Sequence, residues 1–333
     1  MNHSPAMTAI CVICADRIPG KRGLTIIKNS LHIPVLLREI LDFLSISEGS
    51  VCIDMTVGLG GHAEAILEQS APAGRLLGID RDAETLVHTR ERLAPFGTRV
   101  CLVQGTFNQA GVLAERCEFR DVDSILFDLG ISSLQLDSLE RGFGFSQDGP
   151  LDMRMNRQDS LTAADIVNTW QYDQLAEILR EYGDERLAKA IAGVICNRRT
   201  TRPLETTDEL AGLVAGVYKR HGWKRSRMHP ATKTFQALRI AVNGELDILR
   251  EGLEQALRLL APGGRIGVIS FHSGEDRIVK HYFREQEKEQ KRGKRITKKP
   301  VKAGAEECRN NPRSRSALLR VFQKEKGTRE TEE

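Results

Sequence analysis

The chain has 333 residues, of which 40% are hydrophobic and 28% charged, with a formal net charge of +4. That length buries a sizeable core in one large domain or two modest ones, and the balance is ordinary for a globular protein. No apolar run approaches the roughly 18 residues that a bilayer span needs, and the seven scattered cysteines fit a reducing compartment, so a cytoplasmic protein without membrane contact is expected.

Residues 1–30 mix basic and short apolar pieces, with the charges after the apolar part, an order that a signal peptide does not have. They read as a poorly ordered extension. Cys11 and Cys14 form a lone C-x-x-C with no second pair at zinc spacing, so no metal site is expected. Residues 31–44 predict a leading helix, with Pro34 near its first turn and Leu36, Leu37, Ile40, Leu41 and Leu44 on one face. A strand over 51–55 follows, then a glycine loop over 56–62 and a helix from Ala63. Short apolar strands over 75–79, 100–103 and 124–127 come next, the first ending on Asp80 and the last on Asp128, with helical stretches at 83–93 and 109–115 between them. This alternation predicts an α/β, Rossmann-like parallel sheet covered on both faces. Ligands of such sheets sit beyond the carboxyl ends of the strands, where Asp54, Asp80 and Asp128 all fall.

The glycine loop narrows the ligand. Glycines let backbone N–H groups approach an anionic group at a helix start, and an acid at the tip of the next strand accepts hydrogen bonds from a ribose diol. Gly58-x-Gly60-x-x-Ala63 with Asp80 therefore points to an adenosine-bearing cofactor, and by itself leaves NAD and S-adenosylmethionine equally open.

After Asp128 the strand pattern stops for about a hundred residues, a length that suggests an inserted helical subdomain over 135–234, between two α/β segments, 31–134 and 235–325, of one domain. Helices are predicted near 162–167, 172–182, 185–196 and 207–218. One long amphipathic helix carrying Phe235, Leu238, Val242, Leu246, Leu249, Leu253, Leu257 and Leu260 follows, stopped at Pro262-Gly263-Gly264 before a fifth strand over 265–271 and a last one over 317–322. Three basic clusters lack acids: 197–202, 218–233 with Trp223 embedded, and 291–302 with seven basic residues, read as a mobile loop. Acid-free clusters of this kind suit a phosphate backbone, and Trp223, Lys224, Arg225 and Arg227 are the predicted RNA contacts.

Five separated blocks carry a specific resemblance. They are Gly60-Gly61-His62; Asp128-Leu129-Gly130-Ile131-Ser132-Ser133-Leu134-Gln135 with Glu140-Arg141-Gly142-Phe143 and Asp148-Gly149-Pro150-Leu151-Asp152-Met153-Arg154-Met155; His229-Pro230-Ala231-Thr232-Lys233-Thr234-Phe235-Gln236; Ser270-Phe271-His272-Ser273; and Asn311-Pro312-Arg313-Ser314. In this order they resemble the bacterial small-subunit rRNA cytosine-N4 methyltransferases, the RsmH (MraW) family, from about Leu31 to Phe322. Leu134, Gly274 and Met55 depart from the family's usual proline, leucine and glycine, and none of these removes a polar group.

The resemblance implies a class I S-adenosylmethionine-dependent methyltransferase sheet with an inserted helical domain that recognises the substrate. It implies 16S rRNA of the small ribosomal subunit as partner, with the target cytosine in the decoding region, and it allows a homodimer. By position it places Gly60, Gly61 and His62 at the methionyl end of the cofactor, Asp80 on the ribose and Phe107 against the adenine, with Asp128 and Gln135 completing the contacts. Asp128 and His272 are the catalytic candidates. A cytosine amine is a weak nucleophile, and an acceptor for one of its N–H groups at the end of the fourth strand would return its lone pair. The competing readings are an NAD(P)-dependent oxidoreductase and a catalytically silent RNA-binding assembly factor.

Overall fold

The computed structural model describes residues 33–222 and 229–326. The basic stretch predicted to contact RNA (Trp223, Lys224, Arg225 and Arg227) and the N-terminal extension with Cys11 and Cys14 lie outside the described residues. The chain divides into two compact units, one built from residues up to Gly130 and from Ile248 onward, the other from Ile131–Asp247. Among the described residues no helix is long and apolar enough to cross a membrane.

The first unit is a single seven-stranded sheet of β1 (Val51–Asp54), β2 (Arg75–Asp80), β3 (Val100–Gln104), β4 (Val122–Asp128), β5 (Leu260–Ser270), β6 (Gly293–Arg295) and β7 (Leu318–Lys324). Their order is β3-β2-β1-β4-β5-β7-β6. The first five are parallel, and β7 runs antiparallel between β5 and β6. The helices before the second unit are α1 (Leu37–Leu44), α2 (Gly61–Gln69), α3 (Ala83–Leu93) and α4 (Ala110–Arg116). Successive residues of a strand point to opposite faces, so a sheet covered on both sides needs apolar residues at every position. Ile53, Leu77, Phe127 and Val268 enter one core cluster, and their neighbours Cys52, Leu76, Leu126 and Ile269 enter the other. That double burial explains why the strands read as unbroken apolar runs.

The second unit contains α5 (Ser133–Asp137), α6 (Ala163–Thr169), α7 (Tyr172–Glu181), α8 (Ala188–Arg199), α9 (Thr207–Arg220) and α10 (Thr232–Asn243) around its own core. Four of these match the helices predicted from periodicity to within a few residues. Arg141 is 2% exposed there, and its Nη2 donates to the carbonyls of Arg154 and Met155 at 3.0 and 2.7 Å, so a buried guanidinium organises the loop before α6. A cavity of about 630 Å³ within this unit is lined by Leu136, Leu139, Phe143, Phe145, Phe235 and Arg239, among others. The remaining helices are α11 (Glu245–Leu259), α12 (Ser273–Lys288) and α13 (Ala305–Asn310).

Four expectations are corrected. The leading helix starts at Leu37, because Leu36 takes a left-handed φ of 54° and cannot continue a helix backwards. The long helix over 235–260 is two helices: Gly244, at φ 61°, caps α10 and α11 restarts at Glu245. The units divide at 130/131, a few residues earlier than 134/135, and at 247/248, later than 234/235, since α10 gives Phe235, Ala237, Leu238 and Val242 to the second core. The basic run over 291–302 is not a mobile loop. It forms β6 on the outer edge of β7, and Val301 bridges Leu319, because an open strand edge offers unpaired backbone groups that the chain can satisfy.

Candidate active site

The loop after β1 threads between the ends of its neighbours. The N–H of Met55 donates to the carbonyl of Leu126 at the end of β4, and the N–H of Val57 to that of Ile79 at the end of β2, both at 2.9 Å. The chain then turns through Gly58 and Gly60, at φ 50° and 80°, which side-chain-bearing residues rarely adopt. Gly60 is the N-cap of α2. Gly61 answers a different constraint, since a Cβ there would lie 2.6 Å from Cγ of Pro34.

Three carboxylates ring this loop at the carboxyl ends of β1, β2 and β4. Asp54 is 1% exposed and accepts the Thr56 N–H at 3.1 Å. Asp80 accepts the Gly58 N–H on Oδ2 at 2.9 Å and the Asp82 N–H on Oδ1 at 2.8 Å, so it fixes the glycine loop and the start of α3 together. The backbone N–H of Asp128 donates to Oγ1 of Thr56 at 2.6 Å, while its Oδ1 is sealed from solvent without a hydrogen-bond partner. Burial is the main cause that raises all three acids: Asp54 to about 7, Asp80 to about 6 and Asp128 to about 8. Mutual repulsion adds to it, from Asp80 on Asp54 and from Asp54 and Glu275 on Asp128.

His62 is 6% exposed and stands beside this ring, with Nε2 2.9 Å from the Val35 carbonyl oxygen. A carbonyl only accepts, so Nε2 carries a proton and donates. The other nitrogen, Nδ1, faces Oδ2 of Asp128 at 3.6 Å. Thr89 Oγ1 donates to the Gly58 carbonyl from α3, tying the loop from the far side.

The other candidates have structural partners. The Phe107 ring meets Phe127 edge-on at 5.5 Å and presses on Gly252, where a Cβ would come within 2.6 Å of it. His272 is the N-cap of α12: its Nδ1 accepts the Glu275 N–H at 3.4 Å, and Glu275 Oε2 accepts the N–H groups of Phe271 and His272 at 2.8 and 3.3 Å. Gln135 lies in the second unit, 4% exposed, and forms a reciprocal cap with Ser132 at the start of α5. The basic cluster over 197–202 is spent internally, since Arg199 donates to the Val167 carbonyl, Arg198 to that of Arg202, and Arg202 pairs with Glu209. Lys233 likewise donates to the Asp184 carbonyl at 2.6 Å.

Sequence reasoning did not single out Thr56, Val35, Glu275 or the full weight of Asp54. Asp54 had a signal, since it ends a buried strand as Asp80 and Asp128 do. Thr56 and the Val35 carbonyl had none, because their roles are contacts between segments.

The sheet order, with antiparallel β7 between β5 and β6, and the acid-tipped strands around a glycine loop define a class I methyltransferase fold. The chain belongs to the MraW methylase family, whose family model matches residues 29–325. It is 47% identical over 307 residues to the ribosomal RNA small subunit methyltransferase H of Symbiobacterium thermophilum, covering 88% of this chain and 96% of that protein. The same-named proteins of a Geobacter species and of Desulfotalea psychrophila are 49% and 47% identical, covering 88% and 89% of this chain and 98% and 99% of theirs.

Proposed function

We propose that this protein methylates the exocyclic N4 amine of a cytosine in the decoding region of 16S small-subunit rRNA, with S-adenosylmethionine as donor. The observation that carries this reading is the ring of three buried carboxylates with one unpartnered oxygen, in a chain aligned nearly end to end with small-subunit rRNA methyltransferases. Burying acids without counter-ions is unfavourable unless a cationic ligand completes the site. A dinucleotide, whose pyrophosphate is anionic, fits such a ring poorly. Mass spectrometry of 16S rRNA from cells with and without the protein tests the assignment: loss of N4-methylcytidine supports it, and an unchanged profile overturns it.

When bound, S-adenosylmethionine supplies an electrophilic methyl group on a sulfonium that bears positive charge. Gly60, Gly61 and His62 would line its methionyl end, Asp80 would take the ribose hydroxyls on lone pairs left free by its backbone donors, and Phe107 would lie against the adenine. The Asp128 carboxylate accepts one N–H of the cytosine amine, localising the nitrogen lone pair and relieving the positive charge that grows on it. Thr56 and His62 hold Asp128 in place for this. Reaching the amine requires an unstacked base. The second unit serves as the recognition domain in this reading. Its cavity contains Phe145, whose ring lies 4.6 Å from that of His229 and 4.8 Å from that of Phe235. Trp223, Lys224, Arg225 and Arg227 supply the RNA clamp.

A proton count follows from the raised acids. In the free protein these carboxyls keep protons that the unfolded chain has lost, so their contribution to stability falls as pH rises from the ordinary carboxylate range through about 8. A cation favours the ionised forms. Cofactor binding at pH 7 should therefore release protons, and affinity should rise between pH 6 and 8. Calorimetry in buffers of different ionisation enthalpy reads this directly; a binding heat independent of buffer would contradict it.

His272 is the second polar group proposed to act on the base, from the turn between β5 and α12. His272→Ala should lower single-turnover methylation with cofactor affinity unchanged, and should cost about 1 kcal/mol of stability as a lost N-cap. His272→Ser restores a cap acceptor without the imidazole. If the serine variant turns over normally, the residue is only a cap.

A further inference from the structure

We infer that the edge of the sheet formed by β6 and the segment following it is a second RNA-docking surface, which grips phosphate groups through Lys294, Lys299 and Lys302. The inference rests on the rRNA reading above and names a surface for it. The run over 291–302 holds seven basic residues and no acid. Its backbone is fixed. Gly293, Lys294 and Arg295 pair with Lys324, Gln323 and Phe322 of β7, buried Thr297 accepts the Val321 N–H on Oγ1 at 2.9 Å, and Val301 exchanges two 2.9 Å hydrogen bonds with Leu319.

The charges then separate into two sets. Arg295 is held by Glu287 at 2.7 Å, Arg292 pairs with Glu254 at 3.2 Å, and Lys298 lies in the field of Glu287. Lys294, Lys299 and Lys302, with Lys291 before the strand, are exposed and have no ion-pair partner among the described residues. An edge strand commonly carries lysine to block pairing with another sheet, and one lysine on β6 would serve that purpose. Lys299 and Lys302 lie beyond the strand and need another explanation. The local acids are used on the arginines, which leaves exposed ammonium tips on a hydrogen-bonded backbone, an arrangement suited to successive phosphates as point contacts.

RNA is favoured over an anionic membrane because the apolar residues of the run, Ile296 and Val301, pack inward against the sheet core and leave nothing to insert into lipid. No aromatic side chain occurs in the run, so the contact is to the backbone rather than to stacked bases.

The test is a triple variant, Lys294→Gln, Lys299→Gln and Lys302→Gln, with a triple Lys→Arg variant as control. Binding to 16S rRNA is measured against salt concentration, together with methylation of small subunits from cells lacking the enzyme. Each phosphate contact contributes roughly 0.7 to 0.9 to the slope of log affinity against log salt. The glutamine variant should therefore lose about 2 to 3 from that slope and bind about 10- to 100-fold more weakly near 0.1 M salt, with KM for the subunit raised, kcat and cofactor affinity unchanged, and the arginine variant near normal. An unchanged slope and KM in the glutamine variant overturns the surface while leaving the rRNA reading intact. A wild-type protein that methylates no small subunit overturns the rRNA reading itself. Wild-type co-sedimentation with phosphatidylcholine–phosphatidylserine vesicles, abolished by the glutamine variant while rRNA binding persists, would assign the surface to a membrane instead.

Discussion

Asp128→Asn should lower single-turnover methylation about 10²- to 10³-fold with no loss of thermal stability at pH 8. The substitution is isosteric and keeps the backbone N–H that donates to Thr56 Oγ1 at 2.6 Å. It removes the charge of the carboxylate proposed to accept the amine proton, one oxygen of which has no partner in the fold. It also removes an acid that burial has pushed up to about 8, and with it the cost of ionising that group inside the fold. A merely structural aspartate would show the opposite pattern, with normal turnover and a lower melting temperature. Activity within threefold of wild type would end the case for Asp128 as the acceptor. Affinity for the cofactor should fall as well, since the same carboxylate faces the cation, so the rate is read at saturating donor.

Asp80→Ala should weaken cofactor binding by about 100-fold or more, because each hydrogen bond to a charged group is worth about 1.5–3 kcal/mol and the ribose offers two. The effect has a second source. Asp80 holds the N–H groups of Gly58 and Asp82 at 2.9 and 2.8 Å, so its loss leaves two backbone donors without their acceptor and frees the loop that shapes the site. The chemical step, measured at saturating donor, should change far less than the dissociation constant. Calorimetry decides the matter: a dissociation constant within threefold of wild type would remove Asp80 from the cofactor site.

The two residues differ in how visible they were. Asp80 and Asp128 end short apolar runs, and a parallel sheet places such ends at the ligand edge whatever the rest of the chain does. The glycine loop was legible for the same reason, since only a tight turn between strand and helix needs two left-handed glycines. The roles of Phe107, His272 and Gln135 were not legible, because a sequence gives the residue type but not what lies against it. The ring of Phe107 rests on Gly252, about 145 positions away, and His272 and Gln135 are each held by a cap three residues off. The basic run over 291–302 misled for a related reason. Charge and glycine suggest a loop, but the open edge of β7, which only the sheet order reveals, draws that run into a strand.

The sequence by itself determined the parallel sheet, its interruption by a helical insert, the ligand edge and the family, because strand burial, helix periodicity and motif order are properties of short segments. The tertiary structure decided which glycine serves a turn and which only makes room for Pro34. It also decided that α10 belongs to the second core, that the arginines at 197–202 are spent inside the fold, and that Asp128 keeps an oxygen with no partner. Those outcomes depend on burial and on contacts between distant segments. Desolvation and pairing are set by whatever the folded chain brings together, and no local pattern of residues encodes them.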